Sequence, residues 1–243
     1  VDGDKGRAME VSNTFTDTGR LHATYNFDLL AWGGLDVTGL RNAINNAVDV
    51  FNGTGRLCFA FSNHDVPRSA TRQLAALGLN DDQSDAMQLM LLKLETCLIG
   101  SSCVYQGEEL GLEDVTDIPV DKMQDPWGVK FAPAFLGRDT CRTPMVWEKS
   151  NQHGGFSKAE ATWLPVSSRH LKRAGLDMAQ TKGSIYQNFA QFLAWRKTQP
   201  AFMEANTMSI VSGDERTLVF DRMSETQTLR CTFDFDTLTA SFE

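Results

Sequence analysis

Residues 57–68 read LCFAFSNHDVPR and contain the most informative boundary in the sequence. The segment begins with a continuous apolar run, which is typical of a parallel strand that is covered on both faces. The run ends before a polar cluster of Asn63, His64 and Asp65, and Arg68 follows three residues later. The stretch therefore predicts a buried strand whose end carries polar and ionisable side chains.

The segments on both sides of this strand alternate between strand and helix patterns. Residues 21–30 and 101–109 are predicted as short strands. Residues 38–51 have apolar residues at helical spacing, and residues 83–100 combine a long apolar face with an acidic first turn and a terminal glycine. This order of elements predicts an α/β fold with a parallel sheet.

The pattern changes after residue 109. Residues 110–181 show no sustained periodicity, and an irregular stretch of this length inside a compact domain is usually functional or disordered. A helix pattern resumes over residues 184–200, and the chain beyond it alternates like antiparallel strands. We therefore place a boundary near residue 200, with an α/β part over residues 1–200 and a small β domain over residues 201–243.

Composition limits the classes of function. The net charge of -8 argues against a nucleic-acid surface, because phosphate binding needs an excess of Lys and Arg. The longest apolar stretch, around residues 87–99, is interrupted by Lys93 and Glu95, so no membrane span is expected. The five cysteines lack CxxC spacing, which favours reduced core residues. No cofactor and no metal site are expected, and an acidic surface suits a cytoplasmic protein, with a periplasmic location left open.

Two strand ends carry carboxylates. Asp65 follows the strand of residues 57–61, and residues 106–109, with sequence QGEE, follow the next strand. Because the carboxyl ends of parallel strands open on one face, these groups can surround one small polar ligand. The alternative is that Asn63 and Asp65 only cap the next turn. The residues alone leave both interpretations open.

Three motifs in order extend this picture: FSNHDVPR at residues 61–68, VYQGEELGLED at 104–114 and GRDTCRTPMVW at 137–147. Together they resemble the α-amylase superfamily (glycoside hydrolase family thirteen), and more narrowly its α-glucosidase and oligo-1,6-glucosidase branch. The stretches DPWG, WLPV and WRKTQP extend the resemblance over nearly the whole chain.

The resemblance implies a fold and an activity. The expected fold is the C-terminal part of a (β/α)8 TIM barrel, followed by the start of an antiparallel β-sandwich. The expected activity is retaining hydrolysis of α-glucosidic bonds in a small oligosaccharide or α-glucoside, using a nucleophilic carboxylate and an acid/base carboxylate. In the family both lie upstream of the Asn-His-Asp motif, and no D-x-x-R-x-D motif precedes Asp65 here. The chain is therefore expected to be a fragment that is inactive alone.

The resemblance also implies roles for individual residues. Asp65 matches the third catalytic carboxylate, which stabilises the transition state, and His64 matches a histidine that binds hydroxyls of the same sugar. Arg142 matches an arginine that reaches the glucose and the stabilising carboxylate. Arg138 is assigned to substrate binding, and Phe27 matches an aromatic at the substrate mouth.

Other residues of the motifs leave alternatives open. Arg68 is assigned to substrate binding, with contact to another loop as the alternative. Asp139 is expected to form a structural ion pair with Arg138. Glu108 and Glu109 are expected to support the site without reacting.

Three other functional interpretations remain. The first is a transglucosylase or sucrose isomerase of the same family. The second is a non-catalytic member like the transporter-associated heavy chains, which the intact Asn-His-Asp motif argues against. The third is an unrelated α/β domain, which three ordered motifs make a poor explanation.

Overall fold

The structure, a computed structural model, describes residues 5–16, 20–50, 56–204 and 207–243. Its α-helices are α1 (Lys5–Thr16), α2 (Val37–Val50), α3 (Ser69–Ala76), α4 (Ser84–Cys97), α5 (Pro126–Phe131), α6 (Ser168–Leu171), α7 (Gly175–Gln180), α8 (Ile185–Arg196) and α9 (Pro200–Met203). Its strands are β1 (Thr24–Tyr25), β2 (Leu57–Phe59), β3 (Ser101–Ser102), β4 (Thr207–Met208), β5 (Thr217–Met223), β6 (Thr228–Asp234) and β7 (Thr239–Phe242).

Strands β1, β2 and β3 form a parallel sheet in that order. Thr24 lies opposite Leu57, and Cys58 lies opposite Ser101. Helix α2 connects β1 to β2, whereas α3 and α4 connect β2 to β3. The predicted α/β alternation and the parallel sheet are confirmed, although the hydrogen-bonded strands are shorter than the apolar segments suggested.

Helix α3 was missed by the sequence patterns because its buried face is polar. Arg72 and Gln73 are both buried. The guanidinium of Arg72 donates to the carbonyl oxygens of Leu29 and Ala31 at 2.7 and 2.9 Å, and also to that of Phe61. Hydrophobic periodicity cannot detect a helix that packs through hydrogen bonds. Helix α1 was missed as well, since its sequence reads as a polar lead.

The C-terminal strands form an antiparallel sheet in the order β4-β5-β6-β7. Strands β5 and β6 alternate buried and exposed residues, with Phe220 and Phe233 stacked at 5.8 Å on the buried side. Helices α4 and α8 pack together, and α4 also contacts β7. One buried apolar cluster includes Phe59 of the parallel sheet and Phe220 and Phe233 of the antiparallel sheet. The two sheets therefore share a core.

Residues 110–181 contain only short helices and turns, held by two small apolar clusters and by buried polar groups. His170 is an example: its Nε2 donates to the carbonyl oxygen of Glu113 at 2.8 Å. Burial lowers the pKa of His170 to about 4, so the imidazole stays neutral at pH 7. Within the described ranges, no helix is long and apolar enough to cross a membrane.

Arg222 of β5 joins the antiparallel sheet to the end of α4. It is 2% exposed, and its Nη1 donates to the carbonyl oxygens of Cys97 at 2.6 Å and Leu98 at 2.8 Å. Burial lowers the pKa of Arg222 to about 10, which still leaves it charged at neutral pH. The bonds supply donors to carbonyl groups that the helix end leaves unpaired.

We expect Arg222→Met to lower the free energy of unfolding by about 3 kcal/mol, because two buried carbonyl groups lose their charged donor. The measurement is urea unfolding at pH 7. Arg230→Met is the matched control, since Arg230 lies on the adjacent strand in an exposed pair with Asp221 and should change stability little. Equal losses in the two variants would contradict this assignment.

Candidate active site

The polar cluster after β2 begins with a turn that Asn63 stabilises. Its Oδ1 accepts hydrogen bonds from the backbone N–H groups of Asp65 at 2.8 Å and Val66 at 3.1 Å. Asn63 is therefore a turn-capping residue, as one of the two interpretations predicted. The turn leaves the side chain of Asp65 directed outward, with 48% of its surface exposed.

Three cationic or hydrogen-bonding side chains converge on Asp65. Oδ1 of Asp65 lies 2.8 Å from Nη2 of Arg142 and 3.2 Å from Nη1 of Arg138. Nε2 of His64 lies 3.4 Å from Oδ2 of Asp65. Arg142 also donates from Nε to the carbonyl oxygen of His64 at 2.6 Å, which fixes the guanidinium beside the turn. The structure thus brings Asp65, His64, Arg138 and Arg142 together at the carboxyl end of the parallel sheet.

Arg138 is shared between Asp65 and a second carboxylate, Asp125. The Asp125 side chain is fully buried, and it accepts from Nε and Nη2 of Arg138, both at 3.0 Å, and from its backbone N–H at 2.6 Å. These hydrogen bonds hold the pKa of Asp125 well below its usual range and raise the pKa of Arg138. The expected partner of Arg138 was Asp139, and the structure corrects it to Asp125.

Asp139 supports the same loop through the backbone. Its Oδ2 accepts from the N–H groups of Gln124 at 2.6 Å and Asp125 at 2.8 Å. Asp125 in turn caps α5, where it accepts from the backbone N–H of Trp127 at 3.3 Å. These contacts tie together the two ends of the loop of residues 125–138. We call the hydrogen bonds of Asp125 with Arg138 and of Asp139 with the backbone of Gln124 and Asp125 the loop neck.

Two glycines allow the two ends of the loop to approach each other closely. A Cβ on Gly128 would lie 2.5 Å from the carbonyl oxygen of Leu136. Gly137 has a φ of +67°, and a Cβ there would lie 2.6 Å from the backbone nitrogen of Gly128. Any other residue at either position would force the neck apart, which explains the glycines of the DPWG and GRD stretches.

Glu108 lies beneath the turn and is buried. Its Oε1 accepts from the hydroxyl groups of Ser62 at 2.6 Å and Ser69 at 2.8 Å, while Oε2 accepts from the backbone N–H of Tyr105 at 2.8 Å. Because both oxygens are engaged, the carboxylate joins the end of β2, the start of α3 and the segment after β3. We therefore treat Glu108 as a positioning group.

Glu95 of α4 is a second buried carboxyl group close to Glu108. Burial raises its pKa well above the ordinary value, and the nearby charge of Glu108 raises it further. Its Oε2 accepts from the backbone N–H of Phe61 at 3.3 Å. Sequence reasoning missed this group, because Glu95 sits within the apolar pattern of α4 without any motif around it.

The remaining candidates occupy different positions. Arg68 is 1% exposed and donates to the carbonyl oxygens of Gln106 and Cys141 at 2.6 and 3.1 Å. It lies against another loop, which was the alternative to substrate binding. Phe27 follows β1 and is 66% exposed, with its ring 5.6 Å from that of Tyr25.

The part of the chain that the structure describes holds no group of three His, Cys, Asp or Glu side chains placed to bind a metal ion. All five cysteines are free, and Cys97, Cys141 and Cys231 are buried. The chemistry available at the site is therefore that of one half-exposed carboxylate, two guanidinium groups and one imidazole.

We expect Asp125→Asn to lower the free energy of unfolding at pH 7 by about 2 kcal/mol, because the amide has one acceptor oxygen instead of two and no negative charge to pair with Arg138. The depressed pKa of Asp125 stabilises the folded state above the ordinary pKa of about 4, and this contribution is lost as the pH falls. The difference between wild type and variant should therefore shrink below about pH 4.

Unfolding curves between pH 2.5 and pH 7 measure this difference. Asp236→Asn is the control, since Asp236 forms an exposed pair with Arg216 at 2.8 Å. A difference between wild type and Asp125→Asn that did not change with pH would contradict the assignment.

Comparison with known proteins supports the assignment of the motifs. Residues 8–205 match the family described as "Alpha amylase, catalytic domain". The chain is 40% identical over 200 residues to a probable alpha-glucosidase of Rhizobium meliloti (strain 1021), covering 82% of this chain and 35% of that protein. It is 29% identical over 198 residues to a glucan 1,6-alpha-glucosidase of Streptococcus dysgalactiae subsp. equisimilis, covering 74% of this chain and 36% of the relative.

Solved structures agree. The alpha-glucosyl transfer enzyme XgtA superposes with a TM-score of 0.82 and 33% identity, covering 94% of this chain and 41% of that one. An isomaltulose synthase mutant from Erwinia rhapontici NX5 has a TM-score of 0.79 at 19% identity, covering 94% of this chain and 45% of that one, and shows the shared fold. The chain spans between a third and a half of the length of these four relatives. It belongs to the alpha-amylase family.

Proposed function

We propose that this chain is part of a retaining α-glucosidase that hydrolyses maltose or short malto- and isomalto-oligosaccharides. The observation that carries the proposal is the convergence of Arg138, Arg142 and His64 on the Asp65 carboxylate. In parallel α/β folds this end of the sheet collects catalytic groups. Membership of the alpha-amylase family and the similarity to a probable alpha-glucosidase support it.

Each side chain has a role in this mechanism. The exposed side of Asp65 accepts hydrogen bonds from sugar hydroxyls next to the reacting carbon, and its negative charge stabilises the oxocarbenium-like transition state. His64 donates to an adjacent hydroxyl. Arg142 fixes the orientation of the carboxylate, and Phe27 lines the mouth of the site.

We further propose that the nucleophile and the acid/base are supplied from outside these 243 residues. The parallel strands are then the last three of a (β/α)8 barrel, and the antiparallel sheet, which shares their buried core, starts the β domain near residue 200. Three parallel strands alone leave two open edges, so the isolated chain should be inactive and poorly stable.

Reading the gene upstream of the codon for Val1 is the first test. A D-x-x-R-x-D motif and, after it, a Gly-Glu context shortly before Val1 would support the proposal. A stop codon or an unrelated domain there would overturn it. Detectable α-glucosidase activity in the purified 243-residue chain would overturn the claim that catalytic groups lie outside it.

A transglucosylase is the second candidate, because the alpha-glucosyl transfer enzyme XgtA is similar at 33% identity. In a retaining mechanism the covalent glucosyl intermediate can be taken by water or by a sugar acceptor. Product analysis with maltose separates the two. Glucose alone indicates hydrolysis, whereas trisaccharides formed early in the reaction indicate transfer.

We expect Asp65→Asn in the full encoded protein to lower kcat/KM for maltose by about 100-fold to 1000-fold, because the amide cannot stabilise the developing positive charge. Asp85→Asn is the matched control, since Asp85 is 47% exposed and pairs with Arg173 at 2.7 Å outside the site. Its kcat/KM should match that of wild type. Equal activity of Asp65→Asn and wild type would remove Asp65 from the mechanism.

A further inference from the structure

Glu95 of α4 holds the backbone just before the turn of Asp65. It is fully buried, and its Oε2 accepts a hydrogen bond from the backbone N–H of Phe61 at 3.3 Å. The carbonyl oxygen of Phe61 accepts from the guanidinium of Arg72, which belongs to α3. Side chains from two helices therefore fix the backbone of Phe61, two residues before Asn63 begins the turn.

The carboxyl group of Glu95 receives few hydrogen bonds. Its Oε1 is buried and has no hydrogen-bond partner among the described residues. The neighbouring carboxyl group of Glu108 accepts from the hydroxyl groups of Ser62 and Ser69 and from the backbone N–H of Tyr105. Because a buried negative charge needs such donors, the hydrogen bonds favour a charge on Glu108 and a proton on Glu95.

The titratable groups around Glu95 favour the same distribution. Burial is the larger cause that raises the pKa of Glu95, and the negative charge of Glu108 raises it further. The phenol of Tyr25 on β1 and the thiol of Cys58 on β2 also face Glu95, and neither supplies a positive charge. The guanidinium of Arg72 interacts with Glu108 instead. A proton on Glu95 leaves the pair of carboxyl groups with a single negative charge.

We propose that Glu95 is a positioning residue for Asp65 and that it acts as an uncharged carboxylic acid. Its acceptor oxygen holds the N–H of Phe61, whereas the charged Glu108 holds the hydroxyl group of the next residue, Ser62. Ionisation of Glu95 would place two negative charges side by side beneath the turn, where burial strengthens their repulsion. This inference rests on the proposed function, because Asp65 is the group that Glu95 positions.

The same substitution at both carboxyl groups tests where the proton lies, in the full encoded protein. Glu95→Gln resembles the uncharged acid, whereas Glu108→Gln removes a charge and brings N–H groups toward three donors. The first readout is infrared absorption at pH 7. We expect wild type to show the carbonyl stretch of a protonated carboxyl group, and Glu95→Gln to lack this contribution.

Urea unfolding between pH 4 and pH 7 is the second readout. Wild type and Glu95→Gln should unfold at similar urea concentrations at pH 4. Above the ordinary glutamate pKa of about 4.3, the unfolded wild-type chain loses the proton that the folded protein keeps, so its unfolding equilibrium constant should rise by up to about tenfold per pH unit relative to Glu95→Gln. Glu95→Gln should therefore be more stable than wild type at pH 7, and Glu108→Gln less stable.

The positioning role is measured with maltose as substrate. Glu95→Leu keeps a side chain of similar size but removes the acceptor for the N–H of Phe61. We expect it to lower kcat by about tenfold with little change in KM, because Asp65 acts mainly in the transition state. Glu95→Gln should retain the wild-type kcat, since its amide oxygen still accepts this hydrogen bond.

Each part of the inference has an outcome that overturns it. An infrared spectrum that Glu95→Gln leaves unchanged, or a loss of stability in this variant at pH 7, would reject the uncharged acid. Wild-type kcat in Glu95→Leu would reject the positioning role. The infrared and unfolding measurements need no substrate, so wild-type protein without α-glucosidase activity would reject the proposed function and the positioning role, while the protonation of Glu95 is decided separately.

Discussion

Arg138 lies between a buried carboxylate and an exposed one. Asp125 takes three of its hydrogen bonds and cannot turn away, because its side chain is fully buried. The Arg138 guanidinium is therefore held in one orientation, with Nη1 directed toward Asp65 and its face on the Trp127 ring. The ion pair of Arg138 and Asp125 therefore connects the loop of residues 125–138 to the exposed carboxylate of Asp65.

The charges around the site also fit a neutral ligand. Two guanidinium groups face two carboxylates: the Asp125 side chain is closed off from solvent, whereas Asp65, which contacts both Arg138 and Arg142, is half-exposed. A sugar can bind there without bringing or removing charge. In the proposed reaction, positive charge develops at the reacting carbon of the sugar, and the negative charge of Asp65 is one of the groups that would stabilise it.

Local patterns were sufficient for the parts of the fold that bury apolar side chains in a regular period. They predicted a parallel sheet for β1 to β3, helices α2, α4 and α8, and antiparallel strands after residue 200. They failed at α3, whose inner face is Arg72 and Gln73, and at the partner of Arg138, which lies 13 residues away across a loop without periodicity. The motifs predicted that Asp65 and Arg142 belong to one site. Nothing in the sequence indicated that Trp32 would meet Phe135, because that contact depends on how two loops fold over the sheet.

Arg72 is buried and joins two segments that lead to the candidate site. Its guanidinium ties the carbonyl groups of Leu29 and Ala31, just after β1, to that of Phe61, just before the turn of Asp65. The two loops cannot slide past each other without breaking buried hydrogen bonds to a cation. The spacing between the segment after β1 and the turn of Asp65 is then set by a buried side chain that lies outside the exposed polar cluster.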